Sequence, residues 1–192
     1  VQLAVVIPVK SFTMAKGRLA DTLSAHERET IARSCAKTVI EACSPLPVYV
    51  VCSDATVSAW ATSLGARSVL CETPGLDIAV DFGRKAAARD GADHLIVAHA
   101  DLPLARSLSH IAIDGAVSLV PDRHRDGTNV LSFPIASMFT TAYGPGSYDN
   151  HVQLAHDAGL ACHTIVDDDL ALDLDTADDL SELLRRQEEQ QS

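Results

Sequence analysis

The sequence predicts an α/β fold, a mainly parallel sheet flanked by helices on both faces, and three observations carry that expectation. Short β-branched runs alternate with Ala-rich helical stretches along the first half of the chain, which is the rhythm of βαβ units. The first of these runs is apolar at every position from Leu3 to Ile7, as a strand covered on both faces is. Aromatic residues make up only 4% of the chain, so the core must be built from Val, Leu, Ile and Ala.

The first strand is expected over residues 3–9 and runs straight into a basic loop. Ser24-Ala25-His26-Glu27 then matches the S-x-x-E capping box, in which the two side chains satisfy free backbone N–H groups, and opens a helix over 24–43. Strand 48–52, helix 54–64, strand 67–70, helix 77–89 and strand 94–98 continue the alternation. The second half is less regular: strands over 116–120 and 130–133 flank a polar loop, a helix covers 147–158 and a strand 161–166. Thr176-Ala177-Asp178-Asp179 opens a last helix running to about Arg186. One domain over residues 1–186 is expected, with 187–192 a frayed, disordered polar tail.

The composition excludes several classes of function. A net charge of −11 argues against nucleic-acid and anionic-membrane binding, which need Lys and Arg spread over a broad face. Five cysteines with no C-x-x-C pair fit reduced thiols. No run of about 18 apolar residues is present and the chain opens on a strand rather than a signal peptide, so a cytoplasmic location is expected. There is no G-x-S-x-G elbow, no H-E-x-x-H and no evident Cys–His pair.

Against that acidic background, Lys10, Lys16 and Arg18 place three cations within nine residues, just past the first strand. Open α/β sheets hold ligands at the carboxyl ends of their strands, so the ligand is expected to be an anion. Gly17 is the loop's only glycine, which separates it from the P-loop and from G-x-G-x-x-G. Asp101 follows the 94–98 strand, where an acid suits a divalent cation or caps the turn beyond it. In Leu172-Asp173-Leu174-Asp175 the alternation puts both acids on one face of an extended segment, and together with Asp101 they make a candidate Mg2+ site. Gly127-Thr128 in the polar loop can aim donors at a carboxylate or phosphate, and Tyr143-Gly144-Pro145-Gly146-Ser147 precedes a helix that Ser147 is placed to cap. His151, one turn into that helix, reads as a surface residue, and Thr73-Pro74-Gly75-Leu76-Asp77 is a further strand-edge loop able to contact a base or ribose.

Taken in order, Ile7-Pro8-Val9-Lys10, Ala15-Lys16-Gly17-Arg18-Leu19, Ala100-Asp101-Leu102-Pro103-Leu104, Asp126-Gly127-Thr128-Asn129, Tyr143-Gly144-Pro145-Gly146-Ser147 and Leu172-Asp173-Leu174-Asp175-Thr176 resemble the guanylyltransferase family of coenzyme F420 biosynthesis. The resemblance implies a Rossmann-like single domain related to nucleotide-diphospho-sugar transferases. It implies transfer of GMP from GTP to phosphoenolpyruvate or 2-phospho-L-lactate, releasing diphosphate, with 3-phosphoglycerate a further acceptor. By that similarity Asp101, Asp173 and Asp175 bind Mg2+, and Lys16 and Arg18 act with Asp101 in catalysis by holding the triphosphate. Pro8, Val9, Lys10, Pro74 and Asp77 complete the nucleotide site, while Thr128, Gly144 and Ser147 take the acceptor. A homodimer and product handoff to the downstream F420 transferase are further expectations. Arg125 and Asp77 depart from the pattern, standing where glycine and asparagine are common. Two other readings compete: a cytidylyl- or uridylyltransferase acting on a sugar phosphate, which would carry a glycine-rich first loop, and a nucleotide-binding regulatory module, which needs no acids at two strand ends.

Overall fold

Continuous burial decides where the centre of the sheet lies. In the computed structural model, which describes residues 1–190, every residue of β2 (Val48–Cys52), β4 (His94–Ala98) and β5 (Val117–Pro121) is buried. With β1 (Leu3–Pro8), β3 (Arg67–Leu70), β6 (Thr128–Pro134) and β7 (Cys162–Thr164) they form one seven-stranded sheet in the order β3-β2-β1-β4-β6-β5-β7. All neighbouring pairs are parallel except those made by β6, which runs antiparallel to both β4 and β5. The expected mainly parallel α/β sheet is therefore what forms.

The described residues form five α-helices: α1 (Ala25–Ala42), α2 (Ala55–Ser63), α3 (Leu76–Arg89), α4 (Ser147–Asp157) and α5 (Ala177–Gln190). The alternating side chains of β1 divide the core between two layers. Val5 and Ile7 pack with Ala36 and Val39 of α1 and Ala61 of α2; Ala4 and Val6 pack with Val80 and Ala87 of α3 and Ala155 of α4. Helix α3 approaches closely because residue 83 is glycine: a Cβ there would stand 2.6 Å from both Val6 methyl carbons. Both capping boxes form. Glu27 N–H donates to Ser24 Oγ while Ser24 N–H donates to the Glu27 carboxylate, and Thr176 and Asp179 do the same for α5.

Three local expectations need correcting. Helix α5 continues through Gln190, so residues 187–190 are helical rather than frayed; Arg185 bridges Glu182 and Glu189 across successive turns, which supports that end. Residues 191 and 192 of the expected tail lie outside the described residues. Ser147 does not cap α4: Gly146, with φ of 69°, is the N-cap, and Ser147 is the buried first helical residue. Only glycine takes that left-handed conformation without strain. The last strand is three residues long rather than six because it pairs on one side only, with β5. Among the described residues no helix is long and apolar enough to cross a membrane.

Candidate active site

Strand order reverses at β1, whose sequence successor β2 lies on one side and β4 on the other. Loops leaving adjacent strands in opposite directions open a crevice at such a switch point. Here it is a cavity of about 720 Å³, reached by Lys10 and Lys16 after β1, Pro74 before α3, Asp101 after β4, and Asp173 and Asp175. Because β6 is antiparallel, its first residues, Thr128 and Asn129, lie at this same edge. A second concavity of about 790 Å³ between β3 and α3 is lined by Leu70, Phe82 and Lys85 and gathers no comparable set of charges.

Lys16 is the hub. It sits at φ of 59°, a left-handed conformation that costs a non-glycine residue energy and that clusters at functional sites. From there Nζ donates to Asp101 Oδ2 at 2.7 Å and to Asp175 Oδ1 at 3.1 Å, with only 6% of its side chain exposed. Burial disfavours the ammonium, but Asp101 and then Asp175 outweigh it and raise the Lys16 pKa. Asp101 mirrors this: burial opposes ionisation, yet the Lys16 charge, with smaller help from His99, holds the carboxyl below the usual range. Arg18 is exposed, with its guanidinium 3.9 Å from Asp175, and Lys10 is exposed at the cavity mouth.

The 172–175 segment behaves as its alternation predicts. Leu172 and Leu174 are buried with Leu183 of α5 and Cys35 of α1, and Leu174 N–H donates to the Asp101 carbonyl at 3.0 Å, which turns Asp173 and Asp175 toward the cavity. Asn129 donates to Asp173 Oδ1 at 3.4 Å. Burial, and then the Asp101 and Asp175 charges, push the Asp173 pKa up, so this carboxylate lacks a compensating cation. Asp101 Oδ1 is buried without a hydrogen-bond partner. Among the described residues no three His, Cys, Asp or Glu side chains close on one point as a metal cage. An orphaned carboxylate oxygen beside an uncompensated acid nevertheless fits a hard cation that draws its remaining ligands from phosphate and water, as Mg2+ does.

Thr128, Gly144 and Ser147 come together around the start of α4 rather than on the cavity wall. Thr128 and Ser147 are buried, and Ser147 N–H donates to the Gly144 carbonyl. His151 is not a surface residue but fully buried beneath them. Ala142 N–H donates to its Nε2 at 3.0 Å, so Nδ1 carries the proton and donates to Thr128 Oγ1, also at 3.0 Å. Burial keeps the ring neutral, with its pKa pushed down to about 4. Pro8, Val9 and Pro74 line the cavity. Asp77 instead accepts the Tyr143 N–H at 3.0 Å, tying the start of α3 to the 139–146 loop.

In the polar loop Asp122 is an organiser: its two oxygens accept the N–H groups of His124, Asp126 and Gly127. Arg125 adopts φ of 59°, the physical reason glycine suits that position, and its guanidinium bonds the Tyr148 hydroxyl. Sequence reasoning assigned no role to Asn129, His99 or Tyr143. Asn129 and Tyr143 adjoin residues it did single out, and His99 stands two residues before Asp101, which is the signal that was available.

Fold and site together define a nucleotidyltransferase, with a basic loop and a carboxylate cluster meeting at the switch point of an α/β sheet. In comparisons with known proteins the family model for "Guanylyl transferase CofC like" matches residues 3–192. The chain belongs to that family. It is 34% identical over 187 residues to the phosphoenolpyruvate guanylyltransferase of Sphaerobacter thermophilus, covering 93% of this chain and 90% of the relative. It is 33% identical, again over 187 residues, to the protein of the same name from Rubrobacter xylanophilus, covering 93% and 91%. Among solved structures, a protein described as a nucleotide-diphospho-sugar transferase from Desulfovibrio desulfuricans G20 matches with a TM-score of 0.72 at 16% identity, covering 96% of this chain and 87% of that one. A CMP:2-keto-3-deoxy-manno-octonic acid synthetase solved with CTP matches at 0.59 and 11% identity, covering 98% and 100%. These likenesses show the fold.

Proposed function

We propose that the chain transfers GMP from GTP to phosphoenolpyruvate with Mg2+, releasing diphosphate, and that it does so in the cytosol as a step of coenzyme F420 biosynthesis. The observation that carries this reading is the run of relatives at 33–34% identity across nine-tenths of both chains, which are named for that acceptor and that nucleotidyl group. Five unpaired cysteines suit the reducing cytosol.

The acceptor's phosphate is already a competent nucleophile near neutral pH, so no general base is needed and positioning with charge neutralisation carries the catalysis. An acceptor phosphate oxygen forms a bond to the α-phosphorus of GTP as the α–β bridging P–O bond breaks, and that electron pair leaves on diphosphate. Lys10, exposed at the mouth, and Arg18, exposed beside Asp175, neutralise the outer phosphates. Lys16, bonded to Asp101 and Asp175 in the cavity, can exchange a carboxylate partner for a phosphate oxygen. Asp101 and Asp173, with Asp175, are the residues that hold Mg2+. When bound, the ion supplies charge neutralisation and in-line orientation at the reacting phosphate.

The test offers each of the four NTPs with Mg2+ and phosphoenolpyruvate, 2-phospho-L-lactate or 3-phosphoglycerate, and follows diphosphate release. GTP with phosphoenolpyruvate is expected to give the highest kcat/KM. Preference for CTP or UTP, or nucleotide binding without turnover of any acceptor, overturns the reading.

A further inference from the structure

Lys16 keeps its left-handed backbone, with φ of 59°, in a segment whose own backbone hydrogen bonds are local. The N–H groups of Met14, Ala15 and Leu19 donate to the carbonyls of Ser11, Phe12 and Lys16. Such bonds shape a loop without fastening it to the rest of the protein. A strained residue persists only where its surroundings over-determine it, so side chains must dock the segment. The bonds from Lys16 to Asp101 and Asp175 hold the tip of its side chain, and on the guanylyl-transfer reading these are partners it exchanges. The backbone needs a fixed anchor of its own. Phe12 and Leu19 are buried, at 4% and 0% exposed, whereas Thr13, Met14, Gly17 and Arg18 between them are exposed.

Phe12 is gripped from two helices. Its ring meets the Trp60 indole of α2 edge to face, with centroids 4.9 Å apart and planes at 86°. From α1 the Arg33 guanidinium lies 4.6 Å from the Phe12 centroid and 5.9 Å from that of Trp60. Arg33 is itself held, its Nη2 donating to Glu29 Oε1 at 3.0 Å one turn earlier. Edge-to-face pairs and cation–ring contacts are directional, so they fix how the ring lies as well as burying it. Phe12, Ala15 and Lys16 line the cavity, and Arg33 and Trp60 stand behind Phe12, outside that lining.

We propose that Phe12, clamped between Trp60 and Arg33, is the positioning residue for Lys16: it pins the start of the segment so that the strained backbone four residues on presents Nζ to the triphosphate. This rests on the guanylyl-transfer reading above. A leucine at position 12 would keep the site apolar and nearly filled, but it offers no ring to the indole or to the guanidinium. The segment would then be free to relax its left-handed turn, and Lys16 would meet the phosphates from a wider range of positions. Arg33 and Trp60 act one step further back, through Phe12.

The experiment is a double-mutant cycle on the affinity for GTP with Mg2+, measured by titration calorimetry. Phe12→Leu is expected to weaken binding about tenfold in the otherwise unmodified protein, and by less than twofold in a Lys16→Met background, where there is no ammonium left to position. Arg33→Met should follow the same pattern at about threefold. Trp60, the only tryptophan in the chain, reports on the clamp directly: its emission should stay unchanged when GTP and Mg2+ bind, because the anchor is preset. An equal loss in both backgrounds, no loss in either, or a red shift of Trp60 emission on binding overturns the positioning role and leaves guanylyl transfer standing. If the unmodified protein binds no GTP, the transfer reading falls and the positioning role with it. Circular dichroism and melting report folding; should Phe12→Leu fail to fold, Arg33→Met, a third exposed on α1, decides alone.

Discussion

Asp101 and Asp173 line one cavity and carry opposite electrostatic burdens. The folded state holds Asp101 below the usual carboxyl pKa through Lys16, so its contribution to stability is present above about pH 4 and is lost as pH falls through the lower folded value. Asp173 is raised by burial and by its acidic neighbours, so its contribution is present only below about pH 4 and is lost as pH rises through the folded value. At pH 7 its charge costs stability. Asp101→Asn should therefore destabilise by about 1–3 kcal/mol, since it strips the closer of two partners from a buried lysine. Asp173→Asn should stabilise by up to about 1 kcal/mol at pH 7, a gain that shrinks toward pH 4. Both should abolish turnover. Urea unfolding of the two variants at pH 7 and pH 4 checks the signs, and a destabilised Asp173→Asn at pH 7 would show that Asp173 already has its cation within the protein. The acids were legible in the sequence from the Leu172–Asp175 alternation. The bonds of Asp101 and Asp175 to Lys16 were not, because these residues lie 85 and 159 positions from it and sequence spacing carries no information on that closure.

Among the elements, α3 shows how helix packing serves the site. It begins directly after the Pro74–Gly75 corner of the cavity and lies against β1 through Gly83. Gly83→Ala would place a methyl 2.6 Å from both Val6 methyl carbons and 3.1 Å from Val51 Cγ2. Overpacking of that kind costs roughly 1–3 kcal/mol, against about 1 kcal/mol of helix propensity gained. A lowered urea midpoint and a raised KM for GTP are expected, because α3 can relieve the overlap only by moving its first turn; a more stable variant with native kinetics would refute the close contact. Strands and helices with strong local signals, such as β2 or the Ser24 box of α1, were readable because burial and capping act over a few residues. Where the reading failed, a conformation or a distant partner decided. Gly146 took the cap expected of Ser147 by adopting positive φ, and His151 was taken for a surface residue because its burial depends on Ala142 and Thr128 closing over it.

At the scale of the whole molecule, charge sets the terms of binding. The net charge of −11 repels every substrate in the proposed reaction, and Lys10 and Lys16 in the cavity, with Arg18 beside Asp175, are matched in number by Asp101, Asp173 and Asp175. A nucleoside triphosphate therefore finds the right groups but no net attraction until a divalent cation tips the balance. GTP alone should raise the melting temperature little, whereas GTP with Mg2+ should stabilise by about 2.7 kcal/mol at a hundredfold excess over Kd. In Asp173→Asn the Mg2+-dependent increment should vanish while the effect of GTP alone is kept or enlarged, because on the proposed assignment the lost group is a ligand of the ion and its removal leaves one cation uncancelled. Scanning calorimetry with and without EDTA separates these cases. Equal stabilisation by GTP in the presence and absence of Mg2+ would mean that Lys16 and its neighbours suffice to hold the triphosphate, and the paired acids would then have to be explained as the anchor of the strained Lys16 backbone alone.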